Sequence, residues 1–329
     1  MSRPVDTDAL PVNEAVVAVC SRSFSRHEGL RCELLARYPN ARFNSGGIRL
    51  KDAELREFLG GASKAIVALE RIDGALLDAL PTLRTLSKFG VGLDGLDLGA
   101  LESRGIALGW TGGVNRHAVA ELVIAQAINL LRGVHSAHTR TRTGDWTATS
   151  GRELGAMTVG LIGCGYVGQA VARLLRAFGA TVLAHDIRPF PDFYAQCDVE
   201  PVDLATLLQR SNIVSLHVPF DDSTRNLMDR ARLAQMQPGA ILINTARGEI
   251  VDETALFEAL NSGRLAGAAF DVLTEEPPQN NPLLTLDSFA CTPHLAGSTR
   301  EALLAMGRAA IRGLDDHQSI ASHRAAWSS

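Results

Sequence analysis

Three polar residues follow short apolar runs in the second half of the chain, and their types suit acid–base chemistry on a carbonyl. Arg247 lies in Asn244-Thr245-Ala246-Arg247-Gly248-Glu249, Glu276 in Thr274-Glu275-Glu276-Pro277, and His294 in Thr292-Pro293-His294-Leu295-Ala296-Gly297. Singly they have bland readings: a solvated guanidinium, a carboxylate capping a turn, a ring satisfying a backbone carbonyl. Together they match what hydride transfer at a carbinol carbon needs. A base must take the hydroxyl proton, and the same group returns it as acid when the carbonyl is reduced. Histidine titrates in the right range, and a carboxylate on its other nitrogen fixes the tautomer and stabilises the imidazolium. His294 with Glu276 would form that pair. A permanently charged guanidinium, here Arg247, binds a substrate carboxylate in bidentate fashion and polarises the reacting oxygen, which a lysine does not do with the same geometry.

A second motif supplies the partner for such a transfer. Val159-Gly160-Leu161-Ile162-Gly163-Cys164-Gly165-Tyr166-Val167-Gly168 reads as a buried strand, a glycine-rich turn and a helix start. Gly163 permits the turn, Gly165 lets the backbone approach a pyrophosphate, and Gly168 lets helix and strand pack closely. The helix N-terminus then offers unpaired N–H groups to the phosphates. The next apolar run, 181–185, stops at Asp186, a carboxylate suited to both hydroxyls of an adenine ribose and repelled by a 2′-phosphate. The expected cofactor is therefore NAD rather than NADP. Arg188 is the one discordant charge: it could meet a 2′-phosphate, although an arginine there is more often a solvated loop residue.

Apolar runs and helical periods alternate along the chain in the pattern of parallel sheets covered by helices. Strands are predicted at 16–19, 65–69, 83–88 and 106–108 in the first third, and at 213–217, 240–244, 267–270 and 289–292 beyond the glycine loop. A long apolar-periodic helix over 114–131 looks like the crossing from a first domain to a second. A last helix over 299–314 precedes a Ser/His/Ala-rich tail expected to fray. The fold class is α/β, with two doubly wound parallel-sheet domains.

Composition narrows the function classes. The 329 residues carry 32 basic and 36 acidic side chains, a net charge of -4 without a basic cluster, so a nucleic-acid or anionic-membrane partner is not expected. Residues 1–11 are polar rather than a basic-then-apolar leader, and no apolar run is long enough to span a bilayer. A cytoplasmic location is the expectation. The five cysteines occur singly, without the pairs of a zinc site or disulfide framework. His135 and His138 share a helix face without a third ligand nearby, so no metal is expected. Cys164, at a helix N-terminus, is expected to have a lowered thiol pKa.

The chain resembles the D-isomer-specific 2-hydroxyacid dehydrogenases, particularly the phosphoglycerate dehydrogenase-like members. Besides the glycine loop, the resemblance rests on Ser87-Lys88-Phe89-Gly90-Val91-Gly92-Leu93-Asp94, on 115–121, on Leu216-His217-Val218-Pro219, on 244–252, on Phe270-Asp271-Val272 and on 292–299, in family order. It implies a Rossmann NAD-binding domain (113–296) inserted into a flavodoxin-like substrate domain (1–112 and 297–329), and a homodimer made through the cofactor domains. It implies Arg247, Glu276 and His294 as catalytic residues acting on a small anionic 2-hydroxy or 2-oxo acid. Tyr166 and Val167 would contact the pyrophosphate and Asp186 the ribose. His217, Pro219, Thr224, Thr245, Ala246, Arg247, Asp271, His294 and Gly297 would line the remainder of the dinucleotide, Asp271 at the carboxamide. Backbone amides around Val91 and Gly92 would hold the substrate carboxylate.

Two departures stand out. Gly95 replaces a common Asn and is expected to loosen its turn; Ala296 replaces a common Gly and is expected to put a methyl near the nicotinamide. Glu276, where formate dehydrogenases of this fold carry glutamine, argues against formate; Val91, where phosphite dehydrogenases carry lysine, argues against phosphite. Arg71 and Lys88 are candidate contacts for a distal phosphate, phosphonate or carboxylate. The alternative of another class is an NAD-sensing, corepressor-like interaction protein with little turnover.

Overall fold

The computed structural model describes residues 12–48 and 50–323. The readings of 1–11 and of the tail from 324 onward concern residues outside that range. The described residues form two compact units, one reaching Asn115 and resuming at Arg300, the other spanning Arg116–Thr299.

The first unit holds a five-stranded sheet: β1 (Val17–Val19), β2 (Arg42–Phe43), β3 (Lys64–Val67), β4 (Thr85–Lys88) and β5 (Ala107–Gly109). Its order is β2-β1-β3-β4-β5 with every pairing parallel, the flavodoxin-like arrangement. Helices cover both faces, so Val17, Ala18, Val19, Ala65, Ile66, Val67 and Leu86 are all buried and the strands read as continuous apolar runs. The edge strand β2 is two residues long and pairs on one side only, which is why Arg42-Phe43 carries no periodic signal. Helix Arg300–Gly313 returns to this unit, where Ser87 Oγ donates to the Ala310 carbonyl at 2.7 Å and Tyr38 donates its hydroxyl to Asp315 at 2.6 Å. The tail does not fray up to His323. Gln318 and Leu108 exchange two backbone hydrogen bonds of 2.9 and 3.1 Å, and His323 is buried with Nε2 2.8 Å from the Leu108 carbonyl. Satisfying that carbonyl and burying the ring hold a segment whose composition alone reads as disordered.

The second unit holds seven strands: β6 (Thr158–Ile162), β7 (Thr181–His185), β8 (Val199–Pro201), β9 (Ile213–Leu216), β10 (Ala240–Asn244), β11 (Leu265–Phe270) and β12 (Phe289–Cys291). Their order, β12-β11-β10-β9-β6-β7-β8, is that of a Rossmann sheet with all pairings parallel. Two parallel sheets covered by helices are what the alternating pattern predicts. β8 escapes that pattern because it is an edge strand ending in Pro201, a residue edges tolerate. The chain runs outward from β6 to β8 and then restarts at β9 beside β6. That reversal opens a crevice at the carboxyl ends of the strands, where ligands of such sheets collect. Helix Arg116–Arg132 buries Ala120, Val123, Ile124 and Ala127 in this unit's core with Val159, Leu161 and Val171. No single helix among the described residues is long and apolar enough to cross a membrane.

Candidate active site

β6 runs into the glycine turn as the sequence suggests. Gly163 sits at φ 96°, a left-handed conformation, and a Cβ there would meet the His217 carbonyl at 2.7 Å, so both the turn and the contact with β9 require glycine. Its N–H donates to the His185 carbonyl at 2.8 Å. Gly165 caps helix Tyr166–Ala177, and no atom lies within 4 Å of where its Cβ would be. Tyr166 is exposed at the first helical position and Val167 is half-buried beside it. The space over Gly165 is a cradle that a side chain would fill, and it suits a pyrophosphate facing the helix N-terminus.

Asp186 follows β7, with Oδ2 accepting the Cys164 N–H at 2.6 Å and Oδ1 accepting the Arg188 N–H at 2.9 Å. It therefore holds the glycine turn. The Cys164 thiol contradicts the expectation of a lowered pKa. It is buried beneath the turn, and burial, then the Asp186 charge, pushes it up to about 12. Desolvation outweighs the helix end.

Just beyond β9 and β10, His217 Nε2 and Thr245 Oγ1 are buried polar atoms without a hydrogen-bond partner among the described residues. Burial pushes the His217 imidazole down to about 3, so it is neutral. Unmatched polar atoms at the mouth of a crevice fit a site that receives a polar ligand. Thr224 is engaged locally, donating to the Pro219 carbonyl at 2.8 Å and accepting from the Asp221 N–H at 2.9 Å.

The Arg247 loop is built by Asn244. This buried side chain donates to the Arg247 carbonyl at 2.8 Å and accepts from the Ala246 N–H at 3.0 Å. Gly248 then presses its backbone against Leu273 and Thr274, where no Cβ fits. That close approach sets Arg247 beside the loop carrying Glu276. Glu253 secures the same loop, accepting from the Thr274 N–H and from Asn281 Nδ2, each at 2.7 Å. Asn244 and Glu253 were missed by sequence reasoning. Their partners are mostly backbone atoms or lie far along the chain, and a polar residue ending a strand or opening a helix looks ordinary.

Glu276 Oε1 accepts the Leu273 N–H at 3.1 Å, and its Oε2 lies 2.8 Å from His294 Nδ1. His294 adopts a left-handed backbone, φ 52°. Asp271 stabilises that turn: its Oδ1 accepts from Thr292 Oγ1 at 2.6 Å and the Leu295 N–H at 2.8 Å, and its Oδ2 accepts the Ala296 N–H at 2.8 Å. The His294 N–H donates to the Asp271 carbonyl at 2.9 Å. Ala296 is buried, and the turn closes past Gly297 through Ser298 N–H to the Leu295 carbonyl at 2.8 Å.

Electrostatics tie the three polar residues together. His294 is raised from its ordinary value by the hydrogen bond to Glu276, against the opposing effects of burial and the Arg247 charge. Burial pushes Glu276 up, but the hydrogen bond and charge of His294, with Arg247 contributing, leave its carboxyl below the ordinary value. The pair is about two-fifths exposed, with side-chain values of 41% and 39%, so solvent reaches it. With Nδ1 committed to Glu276, Nε2 is the nitrogen left for a substrate oxygen.

In the first unit, Val91 and Gly92 form a half-buried turn after β4. Gly95 is not loose: its carbonyl accepts the Ile72 N–H at 2.9 Å, and a Cβ there would meet the Glu70 carbonyl at 3.2 Å. The Arg71 side chain is 86% exposed, 3.7 Å from Asp73. Lys88 is buried and its ammonium donates to the Ala68 carbonyl. His135 and His138 lie on helix Val134–Arg142, and among the described residues no group of three His, Cys, Asp or Glu is placed to hold a metal ion.

Known proteins share this architecture. The family model described as "D-isomer specific 2-hydroxyacid dehydrogenase, NAD binding domain" matches residues 124–296. A glyoxylate reductase of Thermofilum pendens is 40% identical over 74% of this chain and 75% of that protein. A D-3-phosphoglycerate dehydrogenase of Archaeoglobus fulgidus is 39% identical over 72% of this chain, but over 46% of its own length. A D-lactate dehydrogenase of Aquifex aeolicus, solved with NAD and lactic acid, superposes with a TM-score of 0.80 at 25% identity, covering 90% of this chain and 93% of that one.

Proposed function

The chain belongs to the D-isomer-specific 2-hydroxyacid dehydrogenase family, and from that premise we propose that it interconverts a small D-2-hydroxy acid and its 2-oxo acid with His294 as acid–base, Glu276 as its partner and Arg247 as anchor of the carboxylate and carbonyl. NAD is the cofactor, and when bound it supplies or takes the hydride. The observation that carries this reading is the 2.8 Å contact between His294 Nδ1 and Glu276 Oε2, made beside Arg247.

Each proposed role follows from a local property. In reduction, His294 gives its Nε2 proton to the carbonyl oxygen as that oxygen becomes a hydroxyl. Glu276 favours the protonated ring beforehand, since a nearby carboxylate stabilises the imidazolium. Arg247 neutralises the substrate carboxylate and draws electron density toward the carbonyl oxygen; such positioned donors contribute on the order of a hundred- to thousandfold in rate. Asp271 keeps the ring aimed by wrapping the His294 turn, in addition to its proposed place at the carboxamide. Gly163, Gly165, Tyr166, Val167 and Gly168 would hold the pyrophosphate and Asp186 the ribose. His217, Pro219, Thr224, Thr245, Ala246 and Gly297 would line the rest. The amides of Val91 and Gly92 are the proposed donors to the substrate carboxylate. Arg71, whose side chain is 86% exposed, and Lys88 are the proposed contacts for a distal anion. A homodimer through the cofactor-binding unit is proposed from helix Val134–Arg142, which buries none of its residues, and from Trp146, 86% exposed beyond it. A monomeric sedimentation profile would contradict that assembly.

The test of the activity is kcat/KM for glyoxylate, hydroxypyruvate and 2-oxoglutarate with NADH, and for 3-phosphoglycerate with NAD. Turnover of at least one is expected. Absence of turnover with all four overturns the reading, and equal values with and without a distal anion overturn the distal-anion part alone.

A further inference from the structure

We propose that Trp110 is a positioning residue that aims the Gly92 amide at the substrate carboxylate, and that the segment ending at His323 holds its indole in place. The inference rests on the reading above, in which the Val91–Gly92 turn receives that carboxylate.

Trp110 immediately follows β5, and its Nε1–H donates to the Val91 carbonyl at 2.9 Å. The Val91–Gly92 peptide is trans, since the cis bond among the described residues is Glu276–Pro277. In a planar trans peptide the C=O and the following N–H point in opposite directions. An indole that holds the Val91 oxygen on one side therefore turns the Gly92 N–H to the other. Little else fixes that peptide plane. Among the described residues, the amides of Val91 and Gly92 donate to no protein acceptor, and the preceding Gly90 has φ 115°. Two open amides in a glycine-flanked turn make an anion site only if their direction is set.

The indole is itself held. The His323 ring meets it edge-on, with centroids 6.1 Å apart and planes at 82°. His323 is 7% exposed and anchored by Nε2 to the Leu108 carbonyl at 2.8 Å. Gln318 brackets Leu108 with two further backbone hydrogen bonds. The segment thus clamps the end of β5, and β5 presents Trp110 to the turn. If Trp110 served only to fill space beside Leu93 and Leu98, which with it pack against the same core, removing its N–H while keeping a ring would have no effect on substrate.

The test uses the full chain with two replacements, Trp110→Phe and Trp110→3-benzothienylalanine, the latter an isostere with sulfur in place of the N–H. Two quantities are read: KM and kcat for a 2-oxo acid that the wild type reduces, and the Kd of oxamate, a non-reacting mimic of a 2-oxo carboxylate, for the protein–NADH complex. Both replacements should raise the acid's KM and the oxamate Kd about tenfold, the scale of one oriented hydrogen bond to a charged group, with kcat falling less than threefold and NADH affinity unaltered. His323→Ala should move the same two quantities in the same direction by a smaller factor. Wild-type oxamate affinity and KM in both Trp110 variants overturn the inference. A wild type that neither turns over 2-oxo acids nor binds oxamate overturns the active-site reading itself, and with it this inference.

Discussion

His294 Nδ1 lies 2.8 Å from Glu276 Oε2, and the two residues come from loops at the carboxyl ends of neighbouring parallel strands, β11 and β12. Adjacent strands place their end loops side by side, so the pair arises from the order of the sheet. The contact raises His294 above its ordinary pKa and lowers Glu276 below its own, despite the burial that opposes both shifts. A raised pKa keeps the ring protonated further into neutral pH.

The sign of the pH dependence follows. Reduction needs protonated His294, so kcat/KM for a 2-oxo acid should hold at low pH and fall as pH rises through a value above the ordinary histidine pKa. Glu276→Gln removes the charge that raises it, leaving burial and Arg247 to push the ring down. The alkaline limb of the reductive profile should move to lower pH in the variant, and the limb of the oxidative direction should move with it. Superimposable profiles for the two proteins would contradict the dyad.

Arg247→Lys keeps the charge and loses the planar fork. Steady-state rates should show kcat/KM for the acid down by on the order of a hundredfold, with NADH affinity, measured by fluorescence, within twofold of wild type. A lysine variant as active as the wild type would show that Arg247 acts only as a distant charge.

Asp186 joins an observed contact with the Cys164 N–H to a proposed place at the ribose. Asp186→Ala removes the proposed ribose acceptor and also frees the Cys164 N–H it holds at 2.6 Å. NAD affinity should fall about tenfold or more, while NADP, relieved of repulsion from the carboxylate, should lose less or gain. An unchanged NAD-to-NADP ratio of kcat/KM would remove Asp186 from cofactor selection.

Cys164 should be slow toward thiol reagents. A thiol pushed up to about 12 is almost entirely protonated at neutral pH, and its side chain is buried. Peptide mapping after a short exposure to iodoacetamide should find exposed Cys32 labelled and Cys164 intact. Prompt labelling of Cys164 would show the turn opening far more often than its packing suggests.

Much of the fold is legible in the sequence because parallel strands buried on both faces leave continuous apolar runs, as in Ala240–Asn244 and Ile213–Leu216. The edge strands Arg42–Phe43 and Val199–Pro201 are not, since each pairs on one side and needs no such run. The glycine turn is legible because close approach leaves no alternative residue at Gly163. The positions of Arg247, Glu276 and His294 at strand ends are equally readable, since polar residues there interrupt apolar runs. What holds them is not. Asn244, Glu253 and the Asp271 carboxylate work largely through backbone N–H groups or carbonyls, which every residue carries, so sequence offers no mark of the contact. The tail misleads for a related reason: a short Ser/His/Ala-rich segment is held to Leu108 by backbone pairing and one buried ring.

The central claim, that His294 moves the proton of an NAD-linked hydride transfer, is tested most directly by single-turnover oxidation of bound NADH, followed by absorbance after mixing with the best 2-oxo acid. The wild type should oxidise its NADH rapidly. His294→Ala should bind NADH as tightly and oxidise it at least a hundredfold more slowly. A variant that oxidises NADH at the wild-type rate would contradict the account.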